Sequence, residues 1–333
     1  MASATAEDSS AAATSATAFP ILHPDIIRSH ILPRLDGCSL AAVGCATPEL
    51  RSLCSDVGLW SHKCYSTWPS TTMPRMRELI STFTNGPRSF FSLSYPLFPT
   101  LSPILYPPSL PSRLVSAVDI FYRGRCIFST VHETETVTGW FRCSPFRVDL
   151  LGPKETVATP IRRPSHDDTC RDLIGDLELS WVVVDPSTCK AVNVSSFRPV
   201  SVERHWLSGE VHVRYAAVAG HVMCGVEVTC VGGMGPVMHV TEVSLKMEDL
   251  DGVHLTGRES LVILQRGFEG KRGNGGGKRE REEEGRRRYV EYLERKREIT
   301  ERKRRREGTL DMLCVGLGVA ILAALFFLLC SSR

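Results

Sequence analysis

The most apolar segment of the chain lies near its C-terminal end, and it constrains the fold more than any other sequence feature. Nineteen consecutive residues, Met312 to Cys330, carry no charge and read MLCVGLGVAILAALFFLLC. As an α-helix this segment is about 28 Å long, close to the ~30 Å hydrocarbon core of a bilayer. A buried core helix is normally shorter and has a polar stripe. We therefore expect residues 310–330 to form a single transmembrane helix.

The charge distribution predicts which side of that membrane holds the rest of the chain. The formal net charge is only +3, but residues 266–306 contain 17 Lys/Arg and 9 Asp/Glu, a local excess of +8 that leaves −5 for the remaining residues. The basic run Arg302 to Arg306 closely precedes the apolar segment. Because basic flanks stay on the cytoplasmic side, we expect a tail-anchored protein with its body in the cytosol.

Residues 266–306 are predicted to form a basic stalk between the body and the membrane. The Gly-rich segment Gly270 to Gly277 is expected to be flexible, and the mixed Glu/Arg/Lys sequence from Arg279 to Arg306 favours a solvated helix. Contact with anionic lipid headgroups is the interpretation that we favour. A solvated spacer and a nuclear-import or nucleic-acid patch are the alternatives. Interspersed Glu residues dilute the positive field, so we predict no nucleic-acid partner.

The sequence contains no motif that indicates catalysis, a cofactor or a metal. Twelve cysteines are scattered without a Cys-x-x-Cys pair, which argues against zinc-ribbon and thioredoxin-like sites. The segment Gly273 to Lys278 lacks the opening Gly and the closing Ser/Thr of a phosphate-binding loop. His166, Asp167 and Asp168 have no second ligand cluster near them in sequence. We expect a non-catalytic protein without a cofactor or metal.

The body of the chain is predicted to be α+β. Residues 1–18 have the composition of a disordered leader, residues 67–113 are a Pro-rich connecting segment with one short helix at Met73 to Phe83, and residues 114–265 resemble an antiparallel sandwich or barrel. The strands are expected at Leu114–Tyr122, Cys126–Thr130, Thr136–Arg142, Val148–Leu151, Glu178–Asp185, Ala191–Arg198, Val211–Tyr215, Gly225–Val231, Val237–Met247 and Ser260–Gln265.

Residues 19–66 have the apolar spacing of a small helical unit. Pro24 and Asp25 suit a first helical turn, where Pro loses no needed N–H and an acid meets the helix dipole. Pro33 should bend or end that first helix, and Asp36-Gly37 is a turn signal. The apolar positions at helical spacing are Ile26, Ile27, Ile31, Leu32, Leu35, Leu40, Val43 and Leu50, followed by Trp60.

In order and spacing these residues resemble an F-box. Ala46 and Leu50 depart from the family pattern, since they stand where the family usually has Val and Trp. The resemblance implies a three-helix unit whose leftover apolar face docks on the Skp adaptor of a cullin-based ubiquitin ligase. The residues expected to bind the adaptor are Pro24, Ile26, Ile27, Ile31, Leu32, Leu35, Leu40, Val43, Leu50 and Trp60.

This resemblance implies a substrate-receptor subunit of an SCF-type ligase. The F-box would recruit the adaptor and through it the cullin, and the β-sandwich-like domain would present an unknown protein substrate. A charged stalk helix and a single transmembrane helix would tether the assembly to a membrane. The alternative is a membrane-anchored, lectin-like binding or scaffold protein without a ligase role, because the β-rich region is loosely similar to plant F-box proteins of the phloem-lectin type.

Overall fold

A computed structural model of the chain divides into two compact units, Met1–Leu59 and Trp60–Arg333. The predicted leader, residues 1–18, lies outside the described residues, as does most of the Gly-rich segment. The residues that the structure describes are 23–99, 101, 110–164, 167–233, 235–270 and 277–331.

The first unit begins with a helical stretch of changing pitch. Helix α1 (Pro24–Ile26) continues into a π-helical turn (Ile27–Ile31) and then a 3₁₀ turn (Leu32–Arg34). Pro24 lies in the first turn of α1, as predicted. The backbone becomes extended at Leu35 directly after the turn that contains Pro33, so the predicted end of this helix is confirmed.

Two short side chains start the next helices. The Asp36 carboxylate accepts a hydrogen bond of 2.7 Å from the backbone N–H of Ser39 and caps α2 (Gly37–Ala46). The Thr47 hydroxyl caps α3 (Pro48–Leu53) by accepting from the N–H of Leu50. Each cap satisfies an N–H that has no partner within its helix. Helix α4 (Val57–Thr67) follows.

The Pro-rich connecting segment is more helical than its sequence predicts. A 3₁₀ turn (Pro69–Thr72) leads into α5 (Pro74–Thr82), which confirms the predicted short helix. A second helix, α6 (Gly86–Ser94), occupies residues for which we predicted no helix. Pro74 and Pro87 lie in the first turns of these helices, where a missing N–H costs nothing. These two prolines therefore mark helix starts rather than irregular chain.

Antiparallel strands form two sheets in the second unit. The sheet orders are β2-β1-β5-β6 and β3-β10-β9-β8-β7, and β4 also pairs with β10. All strand pairs are antiparallel, which confirms the predicted α+β class. The strands are β1 (Arg113–Tyr122), β2 (Arg125–Glu135), β3 (Arg147–Asp149), β4 (Val157–Arg162), β5 (Leu177–Asp185), β6 (Lys190–Asn193), β7 (Ser201–Arg204), β8 (Val211–Ala219), β9 (Val222–Gly232) and β10 (Val237–Asp249).

Two of the predicted strands are wrong. The segment Thr136–Arg142 contains α7 (Gly139–Cys143), and Ser260–Gln265 lies inside α9 (Gly257–Glu269). A further helix, α8 (Asp167–Asp176), precedes β5. Helix α9 begins at a capping box. The Thr256 hydroxyl accepts a hydrogen bond from the backbone N–H of Glu259, and the Glu259 carboxylate accepts one from the backbone N–H of Thr256. This pattern outweighs the β-propensity of the short apolar run.

Both sheets share one hydrophobic core. Alternate residues of β1 and β5, including Val118 and Trp181, pack in the same cluster as Tyr215 of β8 and Leu264 of α9. The indole N–H of Trp181 donates a hydrogen bond of 3.0 Å to the buried Ser116 hydroxyl. One face of each sheet and one face of α9 therefore supply the interior of the domain.

The opposite face of the first sheet is also covered. Val115, Val182 and Val184 are buried there although they do not belong to the shared core. The 3₁₀ turn Pro69–Thr72 contacts β1 and β2, and α6 contacts β6. The β-rich domain thus depends on part of the connecting segment for burial.

The last helix, α10 (Lys278–Ser331), runs without interruption for 54 residues. Its first part packs on the outer face of the second sheet, where Tyr292 is buried against Ala216, Val218 and Met223. The expectation of a fully solvated connector helix is therefore wrong for this part, because the sheet has an apolar outer face to cover. From 300 to 312 every residue of α10 is exposed.

Candidate protein-binding site

The apolar residues predicted as a binding site fall into two sets by exposure. Ile27, Leu32 and Leu40 are buried, with Leu32 1% and Leu40 0% exposed. Side chains in such positions hold the unit together and offer no surface to a partner. Their burial is what the apolar spacing predicts for the inner face of a small helical unit.

A second set remains on the surface of the same unit. Ile26 is 43% and Ile31 37% exposed, and Pro24 is also exposed. Covering exposed aliphatic side chains with a partner would contribute about 25 cal/mol of favourable free energy for each Å² of apolar area buried. Exposed isoleucines at two positions of one helical stretch are therefore candidates for docking.

The π-helical turn explains this division. The N–H of Leu32 donates to the carbonyl of Ile27, five residues earlier, instead of the four-residue spacing of an α-helix. The wider turn brings residues five apart closer to one face. Ile27 and Leu32 are accordingly both buried, and Ile26 and Ile31 are both exposed.

Three further predicted residues are half-buried. They are Leu35 after the 3₁₀ turn, Val43 on α2 and Leu50 on α3. Ala46, one of the two departures from the family pattern, is exposed at the end of α2. The pKa of the nearby Glu49 is lowered because its own backbone N–H and the Thr47 hydroxyl donate to the carboxylate. A fixed negative charge therefore lies beside Leu50 at the start of α3.

Trp60 lies in the second unit and differs from the other predicted site residues. Only 3% of its surface is exposed, and its ring packs at 5.4 Å from the ring of Phe91. The guanidinium of Arg88 lies 5.9 Å from the same indole. These neighbours make Trp60 part of the packing around α6.

The C-terminal half of α10 carries a second exposed apolar surface. The helix contains a stretch long and apolar enough to cross a membrane, and none of that stretch is buried. Leu313, Val315, Leu317 and Val319 each expose more than 60% of their surface. These residues belong to the segment predicted to span a bilayer.

The described residues contain no group of three or more His, Cys, Asp or Glu side chains placed to hold a metal ion. His166 lies outside the described residues, and the structure does not describe the side chains of Asp167 and Asp168.

Comparison with known proteins places the chain in a family. No protein-family model and no solved structure matches it. A protein of Arabidopsis thaliana named "Probable F-box protein" is 48% identical over 299 residues, which cover 90% of this chain and 89% of that protein. Two other Arabidopsis thaliana proteins named as F-box proteins are 46% and 40% identical over 324 residues, which cover 92% of this chain and 88% and 94% of theirs.

The chain belongs to the F-box protein family. The predicted resemblance is thereby confirmed, and the relatives match far more than the helical unit, since they also cover the β-rich domain. Similarity of that extent means that this F-box protein and its relatives share a whole domain arrangement.

Sequence reasoning missed the contacts by which α10 docks in this F-box protein. Lys278 pairs with Glu178 at 2.7 Å, and Lys296 pairs with Glu248 at 2.8 Å. The Tyr292 hydroxyl donates to the carbonyl of Asp249 at 2.6 Å. Burial and Glu248 raise the pKa of Tyr292, so the phenol stays neutral. The signal in the sequence was the pair of tyrosines within an otherwise charged helix.

Proposed function

We propose that the chain is a substrate-receptor subunit of an SCF-type ubiquitin ligase. One observation carries this proposal: the helical unit of a member of the F-box family leaves Ile26 and Ile31 on its surface. An apolar patch with a few Ile and Leu anchors suits recognition by helix packing. The partner proposed for that patch is a Skp-type adaptor, which in turn binds a cullin.

The predicted contact residues then have two roles. Pro24, Ile26 and Ile31 touch the adaptor directly, with Leu35, Val43 and Leu50 at the edges of the contact. The buried residues Ile27, Leu32 and Leu40 act indirectly, because they hold the helical unit together, whereas Trp60 belongs to the packing around α6.

The β-rich domain is proposed to hold a protein substrate and to contribute no catalytic residue. Ubiquitin transfer would be accelerated because the receptor keeps the substrate close to the ligase, which raises its effective concentration. The receptor role therefore requires a binding surface and a fixed geometry rather than a reactive side chain.

We further propose that Met312 to Cys330 anchors the receptor in a membrane with its body in the cytosol. Among the described residues, Lys296 is the last one of α10 with an ion pair to the β-rich domain, and Met312 begins the apolar segment. An uninterrupted helix between them is about 24 Å long. Such a helix would hold the β-rich domain at a set distance from the bilayer, with the basic run Arg302 to Arg306 near lipid headgroups.

Affinity purification from plant cells tests the ligase role. The full-length protein should recover endogenous Skp and cullin, and the Ile31→Asp/Leu35→Asp variant should lose both, because charges replace apolar contact residues. If the wild-type protein recovers neither, the ligase role is wrong and the lectin-like or scaffold alternative gains support.

Deletion of Met312 to Cys330 tests the anchor. The truncated protein should move from the carbonate-resistant membrane fraction to the soluble fraction, because no other described helix is apolar and long enough to span a bilayer. A matched control exchanges the basic run Arg302 to Arg306 for glutamine and should stay in the membrane fraction. Retention of the truncated protein in that fraction would contradict the anchor.

A further inference from the structure

A basic groove of ≈ 660 Å³ lies on the β-rich domain, and none of the described residues that line it belongs to the predicted adaptor-binding set or to α10. The turn between β1 and β2, the end of β4 and helix α8 line it. Among the described residues, four arginines and two aspartates provide the charged groups of this lining: Arg123, Arg125, Arg162, Arg163, Asp172 and Asp176.

Strand alternation directs one side of β4 into the groove. Thr159 and Ile161 are buried, whereas Pro160 and Arg162 on the other face are exposed. The period of two in a strand therefore gives β4 a core face and a groove face. Arg163 continues the groove face directly after the strand.

The hairpin turn that carries Arg123 is held in place. Arg123 and Gly124 both have positive φ values of 50° and 74°, as a two-residue turn between antiparallel strands requires. Arginine is an unfavoured residue in this conformation. Its backbone N–H donates to the Asp176 carbonyl, and its Nε lies 2.8 Å from the Asp176 carboxylate. These bonds fix the turn, and with it the neighbouring Arg125, against the end of α8.

Among the described residues, no carboxylate forms an ion pair with Arg125, Arg162 or Arg163. Elsewhere on the domain arginines commonly are paired, for example Arg147 with Asp149 at 2.7 Å and Arg214 with Glu227 at 3.2 Å. The described lining of the groove thus carries more positive than negative charge.

We propose that this groove binds an acidic segment of a partner protein. Guanidinium groups present planar pairs of donors that match carboxylates, and an extended acidic peptide can offer several carboxylates to adjacent arginines. The excess of arginine over aspartate among the described lining residues favours an anionic occupant. The inference rests on the proposed function in one respect: the acidic segment would belong to the substrate.

Fluorescence anisotropy with a fluorescein-labelled octaglutamate peptide tests the groove. The protein is the full-length chain in nanodiscs of neutral lipid, with Arg302 to Arg306 changed to glutamine so that this basic run does not bind the probe. The Arg125→Glu/Arg162→Glu variant should bind the peptide about tenfold more weakly or worse, because two charge-assisted contacts become repulsive. Affinity of the parent protein should fall as salt rises.

The matched control is Arg258→Glu, which reverses an exposed arginine on α9 outside the groove. It should bind the peptide as the parent does. Equal affinity of the groove variant and the parent would overturn the proposal. The proposal would also be overturned if the groove variant lost binding to soluble dihexanoyl phosphatidylserine but bound the peptide as the parent does. The groove would then be a lipid site. The same variants should bind the adaptor as the parent does. If the parent itself does not bind the adaptor, the ligase role is contradicted, but the result for the groove still stands.

Discussion

The β-rich unit and the helical unit use their apolar residues in opposite ways. In the β-rich unit, β1 and β5 are buried on both faces, and large side chains such as Trp181 are fully enclosed. In the helical unit, Ile27 and Leu32 are buried while Ile26 and Ile31 of the same stretch stay exposed. Apolar residues in the first case stabilise the fold, and those left exposed in the second are available to a partner. Substitutions in the two regions should therefore change different measured quantities.

The largest loss of stability is expected for Trp181→Ala. This change leaves a cavity in the shared core and removes the hydrogen bond to Ser116, and it should lower the free energy of unfolding by about 3–5 kcal/mol. Guanidinium unfolding of the detergent-solubilised protein measures the effect. Trp206→Ala is the control, because Trp206 is 86% exposed, and it should change stability by less than about 0.5 kcal/mol. Similar losses from both variants would contradict the described core.

Asp119 makes stability depend on pH. Its carboxylate is buried, and it accepts hydrogen bonds from the N–H and hydroxyl of Ser70 and from the hydroxyl of Ser129 at 2.6–2.8 Å. Desolvation outweighs these bonds and raises the pKa of Asp119 from its ordinary value of 3.8 to about 6. Between these pH values the folded state keeps a proton that the unfolded chain has released.

The free energy of unfolding should therefore fall as the pH rises from about 4 to about 6, by roughly 2–3 kcal/mol from this group. Asp119→Asn removes this contribution, and the difference between the wild-type and variant curves isolates it from other carboxylates. Parallel pH profiles for the two proteins would show that Asp119 is not desolvated. The Asp119–Ser70 hydrogen bonds join the connecting segment to β1. This measurement therefore tests whether buried groups of the β-rich unit stabilise the fold.

A smaller loss is expected where α10 docks on the second sheet. Tyr292→Phe removes the hydroxyl that donates to the Asp249 carbonyl and should cost about 1 kcal/mol. Tyr289→Phe, three residues earlier on a half-buried position, is the control and should be close to neutral. Urea unfolding followed by tryptophan fluorescence measures both. An equal effect of the two variants would mean that the bond to Asp249 does not hold the helix.

Much of the fold could be predicted from sequence patterns of sufficient length. The α+β class, most strands and the helix of residues 74–82 follow from hydrophobic periodicity. The short apolar run of residues 260–265 was misassigned because period alone cannot separate a buried helix from a strand. The Thr256-x-x-Glu259 capping box was the signal that distinguishes them.

The sequence could predict which residues make up the candidate site, but not which of them are exposed. The helical spacing of apolar residues selects all four of Ile26, Ile27, Ile31 and Leu32. Only the π-helical turn determines which of them face inward. The docking of α10 and the basic groove were also beyond sequence reasoning, because each depends on residues brought together from distant parts of the chain. Tyr292 contacts β8 and β9, and the groove joins a hairpin turn to α8.

Direct binding of a purified Skp-type adaptor to the full-length protein tests the central claim. Isothermal titration calorimetry should show binding by the wild type and at least about tenfold weaker binding by Ile31→Asp, because a charge replaces an apolar anchor. The unfolding midpoint of the Ile31→Asp variant should stay close to that of the wild type, since Ile31 is exposed. Val137→Asp, at an exposed site in the β-rich unit, should bind normally. Unchanged adaptor affinity of a folded Ile31→Asp variant would contradict the account.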